Sequence, residues 1–181
     1  MRQFQILAIS GSLRADSLNS AVLRVAASVS SEQAQVRIFS GLADLPHFNP
    51  DLEGNEATIV HDFRRQLREA DAVLIACPEY AHGLPGAFKN ALDWVVASGE
   101  FVYKPVALVN LFERSTWAPA LLKETLNMMT ANIVEPASIN LQLASNKLDE
   151  KFMLADDKIV QSLRASLRAL LQAIQKHETE S

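Results

Sequence analysis

The sequence predicts an α/β protein with three layers, in which helices cover both faces of a five-stranded parallel sheet. Short, wholly apolar runs alternate along the chain with longer segments of helical periodicity. Apolar runs of this kind are typical of parallel strands buried on both faces. The chain has 181 residues, 49% of them hydrophobic, which suits one domain with one sizeable core. Neither a repeat nor a linker interrupts it, so residues 1–181 are expected to form a single domain.

Five segments are predicted to be strands because they are short, apolar and bounded by turn residues. In chain order they are Phe4–Ser10, residues 35–39, Ala72–Ala76, Pro105–Asn110, and a broken fifth strand made of residues 133–134 and 138–141.

Helical periodicity covers residues 18–29, 58–69, 85–97, 117–130 and 156–176. In the first of these segments one face is apolar and consists of Leu18, Val22, Val25, Ala26 and Val29. The last segment is the most periodic. Its three heptads are short for a coiled coil, so we expect it to cover one face of the sheet. Residues 40–57 form a connection long enough to suggest a functional loop.

The order of the strands follows from their connections. Five parallel strands joined by right-handed helical crossovers favour the flavodoxin-like order 2-1-3-4-5. In such sheets ligands bind at the carboxyl ends of strands one and three, where the strand order reverses. Both of the polar loops described below follow these two strands.

Composition limits the partners and the compartment. The net charge of −4 argues against a nucleic acid or an anionic membrane as partner. Cys77 is the single cysteine, which rules out an internal disulfide and suits a reducing compartment. The amino terminus does not have the pattern of a signal peptide, and no apolar run is long enough to cross a bilayer. We therefore expect a cytoplasmic protein.

The loop after the first strand is rich in groups that bind phosphate. It opens a helix, whose first backbone N–H groups are unpaired and carry partial positive charge. Its hydroxyl, amide and guanidinium groups belong to Ser10, Ser12, Arg14, Ser17, Asn19 and Ser20. The alternative is helix capping by Asp16 or Ser17, which explains one or two of these residues but not six. The patterns of P-loop NTPases, dinucleotide-binding Rossmann sites and serine hydrolases are all absent from the chain.

The loop after the third strand is suited to a planar heterocycle. It contains Pro78, Glu79, Tyr80, His82 and Gly83. The proline restricts the backbone, the glycine permits close approach of a flat ring, and the aromatic residues offer ring faces or edges. Taken singly, Tyr80 also fits a packed rim residue and His82 a surface or capping group. Cys77, at the end of a buried strand, is expected to be an unreactive thiol.

Together these residues resemble the NADPH-dependent FMN reductase family, which includes flavodoxin-like quinone, azo-dye and chromate reductases. The similarity lies in three motifs: residues 11–19 (GSLRADSLN), residues 45–51 (LPHFNPD) and residues 78–94, which contain PEY, PG, KN and DW. It implies FMN as cofactor, with its phosphate on the first loop and its isoalloxazine on the second. It also implies NADPH or NADH as co-substrate, and a quinone, free flavin, azo dye or metal oxyanion as electron acceptor.

Two features depart from the family pattern. Ala81 stands where many members have asparagine, and residues 110–115 contain no glycine although many members have a glycine-rich loop there. A non-enzymic electron carrier and a flavin-free interaction protein on the same fold therefore stay open as alternatives. Arg114 in this loop is a candidate contact for the flavin or for the phosphate of NADPH, with a surface salt bridge as the alternative.

The resemblance implies neither a catalytic side chain nor a metal, because the flavin itself performs the hydride transfer. It also implies a homodimer, possibly a tetramer. The helix 85–97 supports a dimer in our prediction, because it has a second apolar face, with Ala87, Ala91 and Trp94, beside the face that covers the sheet. The alternative is that Trp94 packs under the loop 40–57 of its own chain.

Overall fold

Six short parallel strands form the centre of the structure. They are β1 (Phe4–Ser10), β2 (Ala34–Ile38), β3 (Ala72–Ala76), β4 (Pro105–Asn110), β5 (Asn132–Ile133) and β6 (Ile139–Asn140). The computed structural model describes residues 2–146 and 148–180. The strand order is β2-β1-β3-β4, and β5 and β6 both pair with the outer edge of β4. The predicted order 2-1-3-4-5 is confirmed.

The fifth strand is interrupted, as the sequence predicts. Ile133 pairs with Val106 of β4, and Ile139 pairs with Val109 of the same strand. Between the two pairings lies a 3-10 turn, Glu135–Ala137, that contains Pro136. A proline has no N–H to donate to a neighbouring strand, so the ladder breaks at this point.

Helices cover both faces of the sheet, which completes the three predicted layers. They are α1 (Leu18–Ser28), α2 (Thr58–Glu69), α3 (Gly86–Asp93), α4 (Trp117–Met128), α5 (Glu150–Ala155) and α6 (Asp157–Glu180). α1, α5 and α6 pack on the face that presents Ile6, Ala8 and Leu74. α2, α3 and α4 pack on the face that presents Leu7, Ile9 and Ile75. Strand residues thus alternate between two cores, as the period of two in a strand requires.

Two helix predictions need correction. α3 ends at Asp93, and residues 94–97, predicted to continue it, form turns. The short helix α5 was not predicted from the sequence. It begins where Asp149 accepts a hydrogen bond of 2.8 Å from the N–H of Phe152, and it buries a single side chain, Met153. One buried residue in six makes no recognisable period, so the capping aspartate is the signal that sequence analysis missed.

The predicted second apolar face of the helix after β3 is not a free surface. Trp94 is 1% exposed, and its indole N–H donates a 2.7 Å hydrogen bond to the carbonyl of Pro46. Phe48 meets the indole edge-on, with 5.1 Å between the ring centroids. Asn90 joins the same loop, since its side chain donates to the Pro46 carbonyl and accepts from the N–H of Phe48. The loop 40–57 therefore covers Trp94 within one chain, so this face gives no support for a dimer, and the dimer stays a prediction.

Candidate functional site

A cavity of about 200 Å³ lies at the carboxyl ends of β1, β3 and β4, between the loops that follow these strands. This is the edge where ligands bind in open α/β sheets. Seven of the predicted site residues line the cavity: Ser12, Arg14, Ser17, Asn19, Pro78, Glu79 and Tyr80. The other four, Ser10, Ser20, His82 and Gly83, are not among its lining residues. The two predicted loops are therefore brought together at one cavity.

The amino terminus of α1 borders this cavity, and Ser17 lies at the N-cap position. Its backbone is extended, as a cap residue requires, yet its hydroxyl makes no capping hydrogen bond. Ser17 is buried, whereas its neighbour Asp16 is exposed. The capping alternative therefore does not account for the Ser17 side chain, whose hydroxyl stays available to a ligand together with the first N–H groups of α1.

Asn19 contributes an unpaired polar group to the same wall. The residue is 6% exposed, and its side-chain oxygen is buried without a hydrogen-bond partner. No other buried side-chain nitrogen or oxygen in the described ranges lacks a partner. A buried polar atom left unpaired costs about 1–3 kcal/mol. Rotation of the amide by 180° exchanges its oxygen and nitrogen, so the group is able to act as donor or acceptor to a ligand.

Ser10 and Ser20 lie beneath the loop and support it. The Ser20 hydroxyl donates a 2.9 Å hydrogen bond to Oγ of Ser10, which also accepts the N–H of Ser12 at 3.3 Å. Oγ of Ser12 in turn accepts the N–H of Arg14, also at 3.3 Å. In the structure these two predicted site residues therefore shape the loop from below rather than line the cavity.

Gly11 allows the first loop to lie directly against the end of β3. Its N–H donates to the carbonyl of Ala76 at 2.9 Å. A Cβ atom placed on Gly11 would come within 2.7 Å of Sγ of Cys77, which is closer than real Cβ contacts allow. Burial raises the pKa of Cys77 to about 12, so the thiol stays protonated near neutral pH and is a poor nucleophile.

The second loop turns back on itself at Tyr80–Gly83. The N–H of Tyr80 donates to the carbonyl of Gly83 at 3.0 Å, and the N–H of Gly83 donates to the carbonyl of Tyr80 at 2.9 Å. Ala81 and His82 occupy the centre of this turn with φ of 50° and 60°, as in a type I′ turn. His82 also stacks on Trp117, with 5.4 Å between ring centroids. His82 and Gly83 thus set the shape of the loop.

Glu79 connects the second loop to α4. Its carboxylate accepts hydrogen bonds from the backbone N–H groups of Trp117 at 2.8 Å and Ala118 at 3.0 Å. Thr116, the N-cap residue of α4, makes no capping hydrogen bond with its own side chain. A carboxylate near a helix amino terminus is stabilised by the unpaired N–H groups and the helix dipole. Sequence analysis missed this role, because donor and acceptor are far apart along the chain.

The third loop, residues 111–116, closes the cavity without glycine. None of its residues has a positive φ, so its path does not need the left-handed conformations that glycine favours. The side chain of Asn110 shapes the loop by donating to the carbonyls of Phe112 at 3.0 Å and Ser115 at 3.1 Å. Arg114 lies over the Phe112 ring, 5.3 Å from its centroid. The missing glycines therefore cause no left-handed backbone strain in this loop.

Two arginines give the cavity positive charge. Arg14 and Arg114 line it, and neither forms an ion pair with a carboxylate in the part of the chain that the structure describes. The surface salt bridge considered for Arg114 is thus not formed. The Glu79 carboxylate is engaged by backbone N–H groups, and Asp16 is the remaining acid in the wall. A cavity with these groups suits an anionic ligand.

Comparison with known proteins identifies a family to which the chain is similar. The model of the NADPH-dependent FMN reductase family matches residues 4–146. The NAD(P)H-dependent FMN reductase PA1204 of Pseudomonas aeruginosa is 31% identical over 172 residues, which cover 92% of each chain. The chain belongs to the NADPH-dependent FMN reductase family. The family prediction is confirmed, and the oxidoreductase is favoured over the flavin-free protein and the non-enzymic carrier.

Two further proteins similar to this FMN reductase family member are a reductase and an oxidoreductase by name. The quinone reductase of Escherichia coli is 34% identical over 95 residues, which cover 51% of this chain and 50% of that protein. Among solved structures, the NAD(P)H:(acceptor) oxidoreductase FerB of Paracoccus denitrificans has a TM-score of 0.80 and 26% identity, and the match covers 96% of this chain and 98% of that one.

The cavity of this family member fits the phosphate end of FMN. The side chains of Arg14, Ser17 and Asn19 line this cavity, and they would supply polar partners to a phosphate and to the adjoining hydroxylated chain of FMN. Its volume of about 200 Å³ is below the roughly 300–1,000 Å³ of pockets that enclose a whole ligand. One part of the cofactor would therefore be held inside the cavity and another part would stay open to a second substrate.

Proposed function

We propose that this protein is an NAD(P)H-dependent FMN oxidoreductase that passes electrons to a quinone or to free flavin. The observation that carries the proposal is the unpaired side-chain oxygen of Asn19, in a cavity also lined by Arg14 and by Ser17, whose hydroxyl makes no capping hydrogen bond. A buried polar group without a partner is costly and persists where a ligand pairs with it. The family membership supports FMN as that ligand.

The roles of the residues follow from their positions. Ser12, Ser17 and Asn19 would hold the phosphate and its neighbouring hydroxyls, with Arg14 neutralising charge. Pro78 and Tyr80 would form the wall for the ring system, with Tyr80 half exposed at the rim. Bound FMN supplies the hydride-accepting and electron-donating chemistry. The protein holds the cofactor in place, contributes positive charge and leaves one side accessible, so no side chain is assigned as acid, base or nucleophile.

The visible spectrum of the purified protein tests this proposal. We expect a yellow protein that releases FMN on denaturation and bleaches when NADPH or NADH is added under argon. A protein that neither contains FMN nor quenches FMN fluorescence on titration would be a flavin-free member of the family. Bound FMN that stays oxidised with both nucleotides, yet is reduced through a partner reductase, would identify an electron carrier.

We also propose that the protein is a cytoplasmic homodimer, with a tetramer as the larger alternative. Three large apolar side chains, Tyr80, Trp117 and Leu121, are 49%, 59% and 44% exposed, and Tyr80 lines the cavity. Trp117 and Leu121 lie four residues apart on α4 and therefore share a face. A second copy seated there would shield the mouth of the cavity. Light scattering should give twice the chain mass for the wild type and the monomer mass for Leu121→Arg. Equal masses for the wild type and Leu121→Arg would contradict the proposal that this surface is the dimer interface.

None of the helices in the described ranges is both long and apolar enough to span a membrane. Within the same ranges no three histidine, cysteine, aspartate or glutamate side chains are grouped as a metal site would need.

A further inference from the structure

A second cavity, of about 600 Å³, adjoins the proposed FMN site. The two cavities share Phe112, Arg114 and Asn146 as lining residues. The remaining wall of the second cavity consists of Glu113 and residues 142–145. The side chains between the two spaces belong to the third loop and to the segment after β6, so both spaces lie at the same edge of the sheet.

The far wall of this second cavity is tied to the third loop. The N–H of Leu141 donates to the carbonyl of Asn110 at 2.9 Å, and the N–H of Leu143 donates to the carbonyl of Leu111 at 2.8 Å. Between them, Gln142 has a φ of 50°, which is unusual for a residue other than glycine. Such strained positions persist where the surrounding structure determines them, and they cluster at ligand sites.

Arg114 is exposed at the border between the cavities, and its guanidinium lies over the Phe112 ring. No carboxylate of the described residues forms an ion pair with this guanidinium. A guanidinium presents paired N–H donors that match the oxygens of a phosphate. Arg114 is therefore a candidate anion-binding group that lines two adjoining cavities.

We propose that the second cavity binds the adenosine end of the nicotinamide dinucleotide and that Arg114 binds its pyrophosphate. The assignment rests on the proposed function, since the nicotinamide end must reach a cofactor held in the first cavity. The pyrophosphate joins the two halves of the dinucleotide, so a residue at the border of two cavities meets this link. The pyrophosphate is common to NADH and NADPH, and Arg114 acts on both nucleotides equally. Glu113 opposes the anion and limits its affinity.

Calorimetric titration of the FMN-loaded protein with ADP-ribose tests the assignment directly, because this probe has the pyrophosphate and lacks the nicotinamide. Arg114→Ala is expected to weaken binding about tenfold or more, as for a lost charge-assisted contact. Arg114→Lys keeps the charge and loses the paired donors, so its affinity for ADP-ribose should lie between those of the wild type and Arg114→Ala. Glu113→Gln should strengthen binding a few fold. Arg168→Ala, an exposed arginine on α6, is the matched control and should change nothing.

Steady-state kinetics at saturating FMN give a second readout. For Arg114→Ala we expect KM to rise equally for NADH and NADPH while kcat changes little. An unchanged ADP-ribose affinity in Arg114→Ala, or absence of binding to the wild type at low millimolar probe, overturns the assignment. A rise in KM for NADPH alone also overturns it, because that would place Arg114 at the 2′-phosphate. FMN titration of the same variants shows separately whether the proposed function fails.

Discussion

The carboxylate of Glu79 accepts a 2.8 Å hydrogen bond from the backbone N–H of Trp117, so a loop residue after β3 caps the helix after β4. The two strands are neighbours in the sheet, which brings residues 38 positions apart into contact. The same pair of loops is joined a second time by His82 stacked on Trp117. The wall of the proposed flavin site and the start of α4 therefore form one unit.

Removal of this cap should destabilise the protein. Glu79→Ala is expected to lower the free energy of unfolding by about 1–2 kcal/mol, the usual loss for a helix cap. Glu79→Gln keeps one acceptor oxygen, so its free energy of unfolding should fall less than that of Glu79→Ala. Urea denaturation of the FMN-free proteins measures both values. If Glu79→Ala unfolds at the wild-type urea concentration, the capping role is wrong.

Gly11 is expected to reject any larger side chain, because its missing Cβ would lie 2.7 Å from Sγ of Cys77. Gly11→Ala should cost about 1–3 kcal/mol of stability through overpacking. Cys77→Ala removes Sγ, so the double variant should recover part of this loss, and a double-mutant cycle measures the coupling. Gly86→Ala is the control, since nothing lies within 4 Å of its added Cβ. Additive costs at positions 11 and 77 would show that the clash is absent.

Ala81 pays an energetic cost for its left-handed backbone, with φ of 50°. A residue with a Cβ loses roughly 1–2 kcal/mol in this conformation, and glycine does not. Ala81→Gly should therefore stabilise the protein by about 0.5–1 kcal/mol after the entropy of glycine is subtracted. Ala120→Gly, at an exposed position inside α4, should destabilise it by about 1 kcal/mol. Thermal unfolding measures the stability of both variants. A loss of stability in Ala81→Gly would contradict the left-handed conformation of Ala81 in this turn.

The phosphate assignment predicts a specific loss of FMN affinity. Arg14→Ala combined with Ser17→Ala should weaken FMN binding by about 2–4 kcal/mol, because one charged and one neutral partner are removed. Fluorescence titration with FMN measures the dissociation constants. Arg164→Ala combined with Ser162→Ala on α6 is the matched control and should bind FMN as the wild type does. Equal affinity in both double variants would refute the placement of the phosphate.

Much of the fold was readable from local patterns. The wholly apolar runs of β3 and β4 predicted buried parallel strands, and Pro136 lies where the fifth strand was predicted to break. Of the predicted site residues, Arg14, Ser17 and Tyr80 line one cavity because they follow strands that are adjacent in the predicted order. Whether the individual side chains bind FMN stays a prediction. Asn146 also lines the cavity, and no local signal pointed to it, since it lies beyond β6.

The sequence by itself determined the alternation of elements, the strand order and the two polar loops at one edge of the sheet, because these depend on periodicity and on chain connection. Tertiary structure alone decided that Glu79 caps α4, that Asn19 stays unpaired and that Trp94 is covered by the loop above it. Each of these depends on which groups from distant parts of the chain come within hydrogen-bond distance. The packing of helices on the sheet sets these distances, and no pattern of neighbouring residues encodes them.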